Sequence, residues 1–381
     1  MKNLESIELF SGAGGLALGL HDAGFHHKEL YEWNATAVET LLYNQRMGHP
    51  SLKDCRISRA DVRDVDFTKY RGIDLVAGGP PCQPFSMGGK AAGMNDTRDM
   101  FPQAIRAVAQ VQPRAFIFEN VRGLLRPAFS NYVEYIKLQM EFPDYPISKN
   151  ASWDQNLRRL QRHKERVGDS IVGLRYRVHV QQANAANFGI PQHRHRVFFV
   201  GFRSDIKTDW SFPTETHSDS KTPAKADDNS VGGKRDHKFL AWKTLKDAIK
   251  DLPSPTSRAA AKWYNHVFQP GAKIYPGHTG SPLDRPAKAL KAGDHGVPGG
   301  ENMILFPDGS VRYLTVRESA RVQTFPDNYV FLGSWTEAMR QLGNAVPKKL
   351  AEIVGNSVYN ALTGQPLNKP QSYMNQRMQS P

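Results

Sequence analysis

Short apolar runs alternate with stretches of helical spacing through the first half of the chain. Residues 7–10 (IELF), 29–33 (ELYEW), 73–79 (IDLVAGG) and 115–120 (AFIFEN) are rich in aliphatic and aromatic side chains and predict buried strands. Between them, residues 35–46 and 99–111 repeat apolar positions at helical spacing. Such alternation makes a parallel sheet covered on both faces, so the fold class is α/β, doubly wound and mostly parallel. Two later runs, 174–185 (LRYRVHVQQANA) and 195–202 (HRVFFVGF), predict a hairpin that closes this first domain.

The pattern then dissolves. Residues 214–238 hold almost no apolar side chains and cannot bury enough surface to offset their ordering entropy, which predicts a flexible linker or mobile loop. Residues 239–308 scatter aromatics among prolines and glycines without a period, as expected of a smaller irregular domain with short strands. Helical spacing returns in 315–325 and 347–362, the tail 365–381 reads as disordered, and no internal repeat is present.

Composition adds a partner. At 381 residues the chain exceeds a single core, so two domains are expected. Lys plus Arg number 50 against 37 Asp plus Glu, a net charge of +13, which suits a polyanion: nucleic acid ahead of an anionic membrane surface. Charge alone is equally compatible with a merely soluble basic protein. Two cysteines make no disulfide framework, the start MKNLESIELF lacks a signal-peptide core, and VFFVGF at 197–202 is among the longest apolar runs, far short of the roughly 20 residues that cross a bilayer. A soluble protein of the reducing cytoplasm is expected.

Three stretches carry candidate chemistry. ELFSGAGGLALGL places Gly12, Gly14 and Gly15 between a strand and a helical pattern, where the backbone can turn sharply and approach a ligand. Any tight strand-to-helix turn wants glycine, however. Glu32 ends the next strand at the place where an acid binds ribose hydroxyls; Trp33 offers a flat face for adenine or a half-buried core aromatic, and Asp61 is a third candidate or a solvated turn carboxylate. The phosphate-binding lysine of a P-loop is missing, and Ala17 stands where a third glycine would close the dinucleotide pattern, so a nucleoside cofactor without pyrophosphate fits at least as well. In GGPPCQPFS, prolines 80, 81 and 84 stiffen a loop around Cys82 at a strand's carboxyl end, which favours a nucleophile over an inert thiol. Glu119 ends another strand, and the arginines of QHRHR precede the last one; each alone also reads as an ordinary strand-edge charge.

Taken together, LFSGAGGL, GGPPCQPFS, ENV, QHRHRVF, RESARVQTFP and QLGNAVP occur in the order and at roughly the spacing of the DNA cytosine-5 methyltransferases of bacterial restriction–modification systems, a family the chain resembles over about residues 6–361. The resemblance implies a Rossmann-like fold for S-adenosylmethionine, held by Phe10, Ala13, Gly14, Glu32, Trp33, Asp61, Val62, Pro81, Asn344 and Val346. It makes the catalytic domain discontinuous, 1–212 plus 317–364, with 213–316 as the target-recognition domain. Cys82 would add to C6 of a cytosine flipped out of duplex DNA, Glu119 would stabilise charge at N3, and Arg194 and Arg196 would divide between them the pyrimidine O2, the glutamate and the backbone. Residues 86–98 would be a closing lid or an ordinary flexible loop, and Arg258, Lys262, Trp263 and Tyr264 belong to the region expected to read DNA. No metal is required, a monomer is expected, and a cognate restriction endonuclease is the expected functional partner. The rival readings are a tRNA cytosine-5 methyltransferase and a catalytically silent DNA-binding protein of the same fold.

Overall fold

A computed structural model describes residues 4–81, 99–170, 173–219, 239–292 and 302–364. Cys82, the expected lid 86–98, most of the expected linker and the tail 365–381 lie outside the described residues.

In chain order, the amino-terminal part comprises β1 (Leu4–Leu9), α1 (Gly15–Asp22), β2 (Phe25–Glu32), α2 (Ala35–Arg46), β3 (Arg56–Arg59), β4 (Leu75–Gly78) and α3 (Phe101–Val111). There follow β5 (Ala115–Val121), α4 (Ser130–Glu141), α5 (Trp153–Val167), β6 (Tyr176–Asn184), β7 (Gln192–His193) and β8 (His195–Arg203). Short elements come next: β9 (His217–Ser218), β10 (Leu240–Ala241), α6 (Leu245–Ile249), β11 (Ser281–Pro282), β12 (Ala287–Lys288), β13 (Met303–Leu305) and β14 (Val311–Tyr313). Three helices end the described chain: α7 (Val316–Val322), α8 (Trp335–Asn344) and α9 (Lys348–Thr363).

The chain divides into two compact units. The first holds the described residues of 1–183, 195–212 and 351–370, and the second those of 184–194 and 213–350. A seven-stranded sheet in the order β3-β2-β1-β4-β5-β8-β6 forms the first unit, with β1 to β5 parallel and β8 antiparallel to β5. Strand order reverses between β1 and β4, and in such sheets the carboxyl ends on either side of the reversal form the ligand crevice. β4 is wholly buried and β5 nearly so, which explains why their sequences read as continuous apolar runs rather than as alternation. Phe101, Phe116, Phe118, Tyr176 and Phe199 anchor the core on one face. On α9, Tyr359 meets Phe25 edge-on at 5.8 Å, and Ser357 accepts a hydrogen bond from the Trp210 indole at 3.1 Å.

Two features depart from the sequence pattern. Helix α5 is mostly polar, with only Asn156, Leu157 and Leu160 buried; it is fixed instead by a capping box between Ser152 and Gln155 and by packing on α4. Residues 317–350, expected with the catalytic domain, cluster with the second unit. Arg317, fully buried, ties the segment to that unit by donating to the Tyr264 carbonyl, and it braces its own segment through the carbonyls of Pro326 and Tyr329. No strand of the second unit exceeds three residues among those described.

Candidate active site

The glycine turn leaves β1 in left-handed conformations at Phe10 (φ 57°), Gly12 (φ 54°) and Gly14 (φ 87°). Its Ser11 amide donates to the Tyr31 carbonyl at 3.0 Å. Glu32 completes the clamp: one carboxylate oxygen accepts the Gly12 amide and the other the Asn34 amide, both at 2.7 Å. Each oxygen keeps a further lone pair. Apart from its chain neighbours, no atom of the described residues lies within 4 Å of where a Cβ on Gly12 would stand, so the turn leaves room there.

Parallel pairing of β2 with β3 brings in the next candidates. The Ala60 amide donates to the Glu32 carbonyl at 3.0 Å, which sets Asp61 and Val62 beside Glu32 and Trp33. Asp61 caps the turn 62–64 by accepting the Arg63 amide at 2.9 Å, and the hydrogen-bonded Arg63 guanidinium holds its carboxyl below the usual range. That guanidinium stands 6.0 Å from the centre of the Trp33 ring, and Trp33, 64% exposed, keeps an indole face in solvent. Phe10, Ala13, Gly14, Glu32, Trp33, Asp61 and Val62 thus gather on three adjacent strand ends. An acid with spare lone pairs, an exposed indole and a glycine turn with room beside it fit a nucleoside.

Across the reversal, β4 ends at Gly78 and runs into Gly79, Pro80 and Pro81. Asn120 donates to the Pro80 carbonyl at 2.9 Å, and the Pro81 carbonyl accepts the Met100 amide at 3.1 Å. Glu119 on β5 and Arg196 on β8 share a face through the antiparallel register, which sets Val121 opposite Arg196. Arg196 Nε lies 2.6 Å from Glu119 Oε1, and the two side chains are 13% and 9% exposed. Burial lowers the Arg196 pKa while Glu119 opposes that shift. A Cβ on Gly79 would lie 3.5 Å from the other Glu119 oxygen, so the carboxylate faces the loop that leads into Cys82.

In the second unit Arg194 has a different setting. It is fully buried, and its guanidinium donates to the carbonyls of Leu290 (3.0 Å), Gly343 (2.5 Å) and Ala345 (2.9 Å). Of the two arginines expected to divide the base and backbone roles, Arg194 serves the backbone and Arg196 meets the glutamate. Two buried glutamines that the sequence reading passed over complete the knot. Gln192 accepts the Leu290 amide and donates to Gln323, which donates in turn to the carbonyls of Leu342 and Ala345. Their only signal was membership of the motif blocks. A Cβ at Gly343 would lie 2.3 Å from the Ala292 nitrogen, so only glycine fits there. Asn344 ends α8 exposed and Val346 is buried. Farther along, Arg258, Lys262 and Tyr264 are exposed, whereas Trp263 lies under Arg321 at 5.1 Å. Among the described residues no group of three or more His, Cys, Asp or Glu is placed to hold a metal, and no helix is long and apolar enough to cross a membrane.

The model of the C-5 cytosine-specific DNA methylases matches residues 4–152 and 156–360. The chain belongs to that family. It is accordingly a DNA cytosine-5 methyltransferase, as the ordered motif blocks implied. The chain is 32% identical over 372 residues to Type II methyltransferase M.NgoMIV of Neisseria gonorrhoeae, covering 94% of this chain and 97% of the relative. It is 31% identical to Type II methyltransferase M.AplI of Arthrospira platensis, over 96% of this chain and 88% of the relative. Among solved structures, a prophage-encoded DNA modification methyltransferase of E. coli aligns with a TM-score of 0.61 at 22% identity, covering 95% of this chain and all of that one. A DNMT2 mutant of Spodoptera frugiperda aligns with a TM-score of 0.59 at 15% identity, over 94% of this chain and all of that one. These likenesses agree with the α/β fold and its mostly parallel sheet.

Proposed function

We propose that the enzyme methylates C5 of a cytosine flipped out of a specific duplex sequence, with S-adenosylmethionine as methyl donor and Cys82 as nucleophile. The observation that carries this reading is the buried Arg196–Glu119 pair facing the loop that runs into Cys82. A stacked base exposes neither face to a thiol, hence the flipping.

C5 of cytosine is a poor nucleophile until the ring gains electrons. Cys82 thiolate forms a bond to C6, and the displaced electron pair spreads over C5, N3 and O2. Glu119 shares a proton at N3, and Arg196 holds that carboxylate while donating toward O2. Phe10, Ala13, Gly14, Glu32, Trp33, Asp61, Val62, Pro81, Asn344 and Val346 are assigned to the cofactor, Glu32 by the lone pairs left after its two backbone bonds and Trp33 by its exposed face. Bound there, S-adenosylmethionine supplies the electrophilic methyl that the activated C5 takes. A base then removes the C5 proton, the C5–C6 double bond reforms, and Cys82 leaves as thiolate. Arg194 holds the segment 343–345, and residues 213–316 supply the DNA reader.

Relatives named Type II methyltransferases support a pairing in the cell with a restriction endonuclease. One chain carries both the catalytic set and the reader, so a monomer working on cytoplasmic DNA suffices. The test supplies labelled cofactor with duplex DNA or tRNA and maps the modified base. Label confined to C5 of duplex cytosine supports the proposal, and label confined to tRNA refutes it. Duplexes carrying 5-fluorocytosine at the target should trap the parent enzyme and Cys55→Ala in a complex that survives denaturation, because fluorine cannot leave as a proton does. Cys82→Ala should trap nothing; trapping by that variant would put the nucleophile elsewhere.

A further inference from the structure

The turn 62–65 follows Asp61 and closes on itself through one long bond, the Val65 amide to the Val62 carbonyl at 3.3 Å. One side chain from another element collects its carbonyls. Arg106, near the middle of α3, donates from Nη2 to the carbonyls of Val62 (2.5 Å) and Arg63 (3.4 Å) and from Nη1 to that of Val65 (2.9 Å). Glutamines one turn away on either side steady the guanidinium: Gln103 accepts from Nε at 2.9 Å and Gln110 from Nη1 at 3.3 Å. The same Gln110 oxygen accepts the Phe67 amide at 3.1 Å, and the guanidinium lies 5.1 Å from the centre of the buried Phe67 ring. All three guanidinium nitrogens are therefore engaged, and three of the five bonds go to one short turn.

We propose that Arg106 is a positioning residue for the cofactor: it sets the height and tilt of the turn whose first residues, Asp61 and Val62, meet the adenine. The inference rests on the assignment of those two residues to the cofactor. A guanidinium suits this task because its donors form a rigid planar fork, whereas an ammonium offers three donors on a flexible stem. With the guanidinium gone, three turn carbonyls lose their shared donor and the turn can tilt away from Trp33. The link also joins the adenine side of the site to α3, whose first turn begins where the Met100 amide meets the Pro81 carbonyl.

The test uses the full-length enzyme and three variants, Arg106→Met, Arg106→Lys and Asp61→Ala. Equilibrium dialysis with labelled S-adenosylmethionine gives the cofactor Kd without DNA, and steady-state kinetics give kcat and both KM values. Arg106→Met should raise the cofactor Kd and KM by about tenfold or more, with kcat and the DNA KM within about twofold of the parent. Arg106→Lys should recover part of that loss and fall short of the parent, because its donors cannot cover the three carbonyls. Asp61→Ala should also raise the cofactor Kd. If Asp61→Ala weakens cofactor binding while Arg106→Met leaves it within about twofold, Arg106 does not position the turn and the site assignment stands. If neither variant changes the Kd, the turn does not meet the cofactor and the assignment itself fails. An equal fall in kcat and rise in both KM values for Arg106→Met, with a lower melting temperature, would reduce Arg106 to a general structural role and overturn the proposal.

Discussion

Glu119→Gln isolates the charge at the centre of the catalytic reading. Glu119 and Arg196 approach to 2.6 Å with side chains about a tenth exposed, so the pair belongs to the buried class. Removing one partner of such a pair costs about 3–5 kcal/mol, because the other ion keeps its desolvation penalty. Burial already works against the Arg196 charge, and Glu119 is what opposes it. The amide preserves shape and an acceptor oxygen, which puts the expected loss near the low end, about 3 kcal/mol. Against a domain stability of about 5–15 kcal/mol the variant should fold, with a melting temperature lower by roughly 6–12 °C. Turnover should suffer more specifically. A neutral amide cannot share a proton with N3 as the ring gains electrons, so the methyl-transfer rate should fall by about 10²–10⁴, equivalent to about 3–5 kcal/mol of barrier. The assay is single-turnover transfer of labelled methyl to a duplex, run well below the variant's melting temperature, with cofactor and DNA Kd values measured on the same preparation. Both Kd values should remain within a few-fold of the parent. A folded variant that transfers methyl within about threefold of the parent rate would refute the role given to Glu119.

Three further predictions address the cofactor side, the second unit and the core. Trp33→Ala should raise the cofactor Kd about tenfold with little change in melting temperature, since the indole is 64% exposed and supports no core; dialysis and calorimetry read the two quantities. Gly343→Ala should destabilise the protein by about 1–3 kcal/mol or more, because its Cβ would stand 2.3 Å from the Ala292 nitrogen; urea denaturation measures this. Burial pushes the His27 pKa down to about 4, and the neutral ring bonds with Ser6 and the Ala17 carbonyl. The unfolded chain takes up that proton below about pH 6.5, so the stabilisation is full above pH 6.5 and is lost as the pH falls toward 4, by up to about 3 kcal/mol. Urea midpoints at pH 7 and pH 4.5 check the sign, and equal stability at both would show that His27 is not held neutral.

Much of the architecture was legible because burial on both faces leaves a direct trace in the chain. The runs at 73–79 and 115–120 became β4 and β5, and the helical spacing at 35–46 and 347–362 became α2 and most of α9. Helix α5 left no such trace. Its interior holds two leucines among arginines, and its start is set by a side-chain cap that no apolar period reveals. The boundary near residue 317 was also illegible, since it involves a buried arginine whose guanidinium reaches the Tyr264 carbonyl, 53 residues back in the chain.

At the site, the sequence by itself determined the chemical groups and their order: an acid ending β2, a cysteine after three glycine- and proline-rich steps, an acid ending β5, and two arginines flanking a histidine. The tertiary structure decided which of these meet. Arg194 and Arg196 stand two residues apart and are identical as letters, yet one donates to three carbonyls while the other pairs with Glu119. A guanidinium's partner depends on which strand is registered opposite it and on which carbonyls are left without donors. Both are set by parts of the chain from tens to some 150 residues away, so local pattern carries no record of them. The same holds for Arg106, whose letter in a helix reads as an ordinary surface charge until the fold lays the turn 62–65 across it.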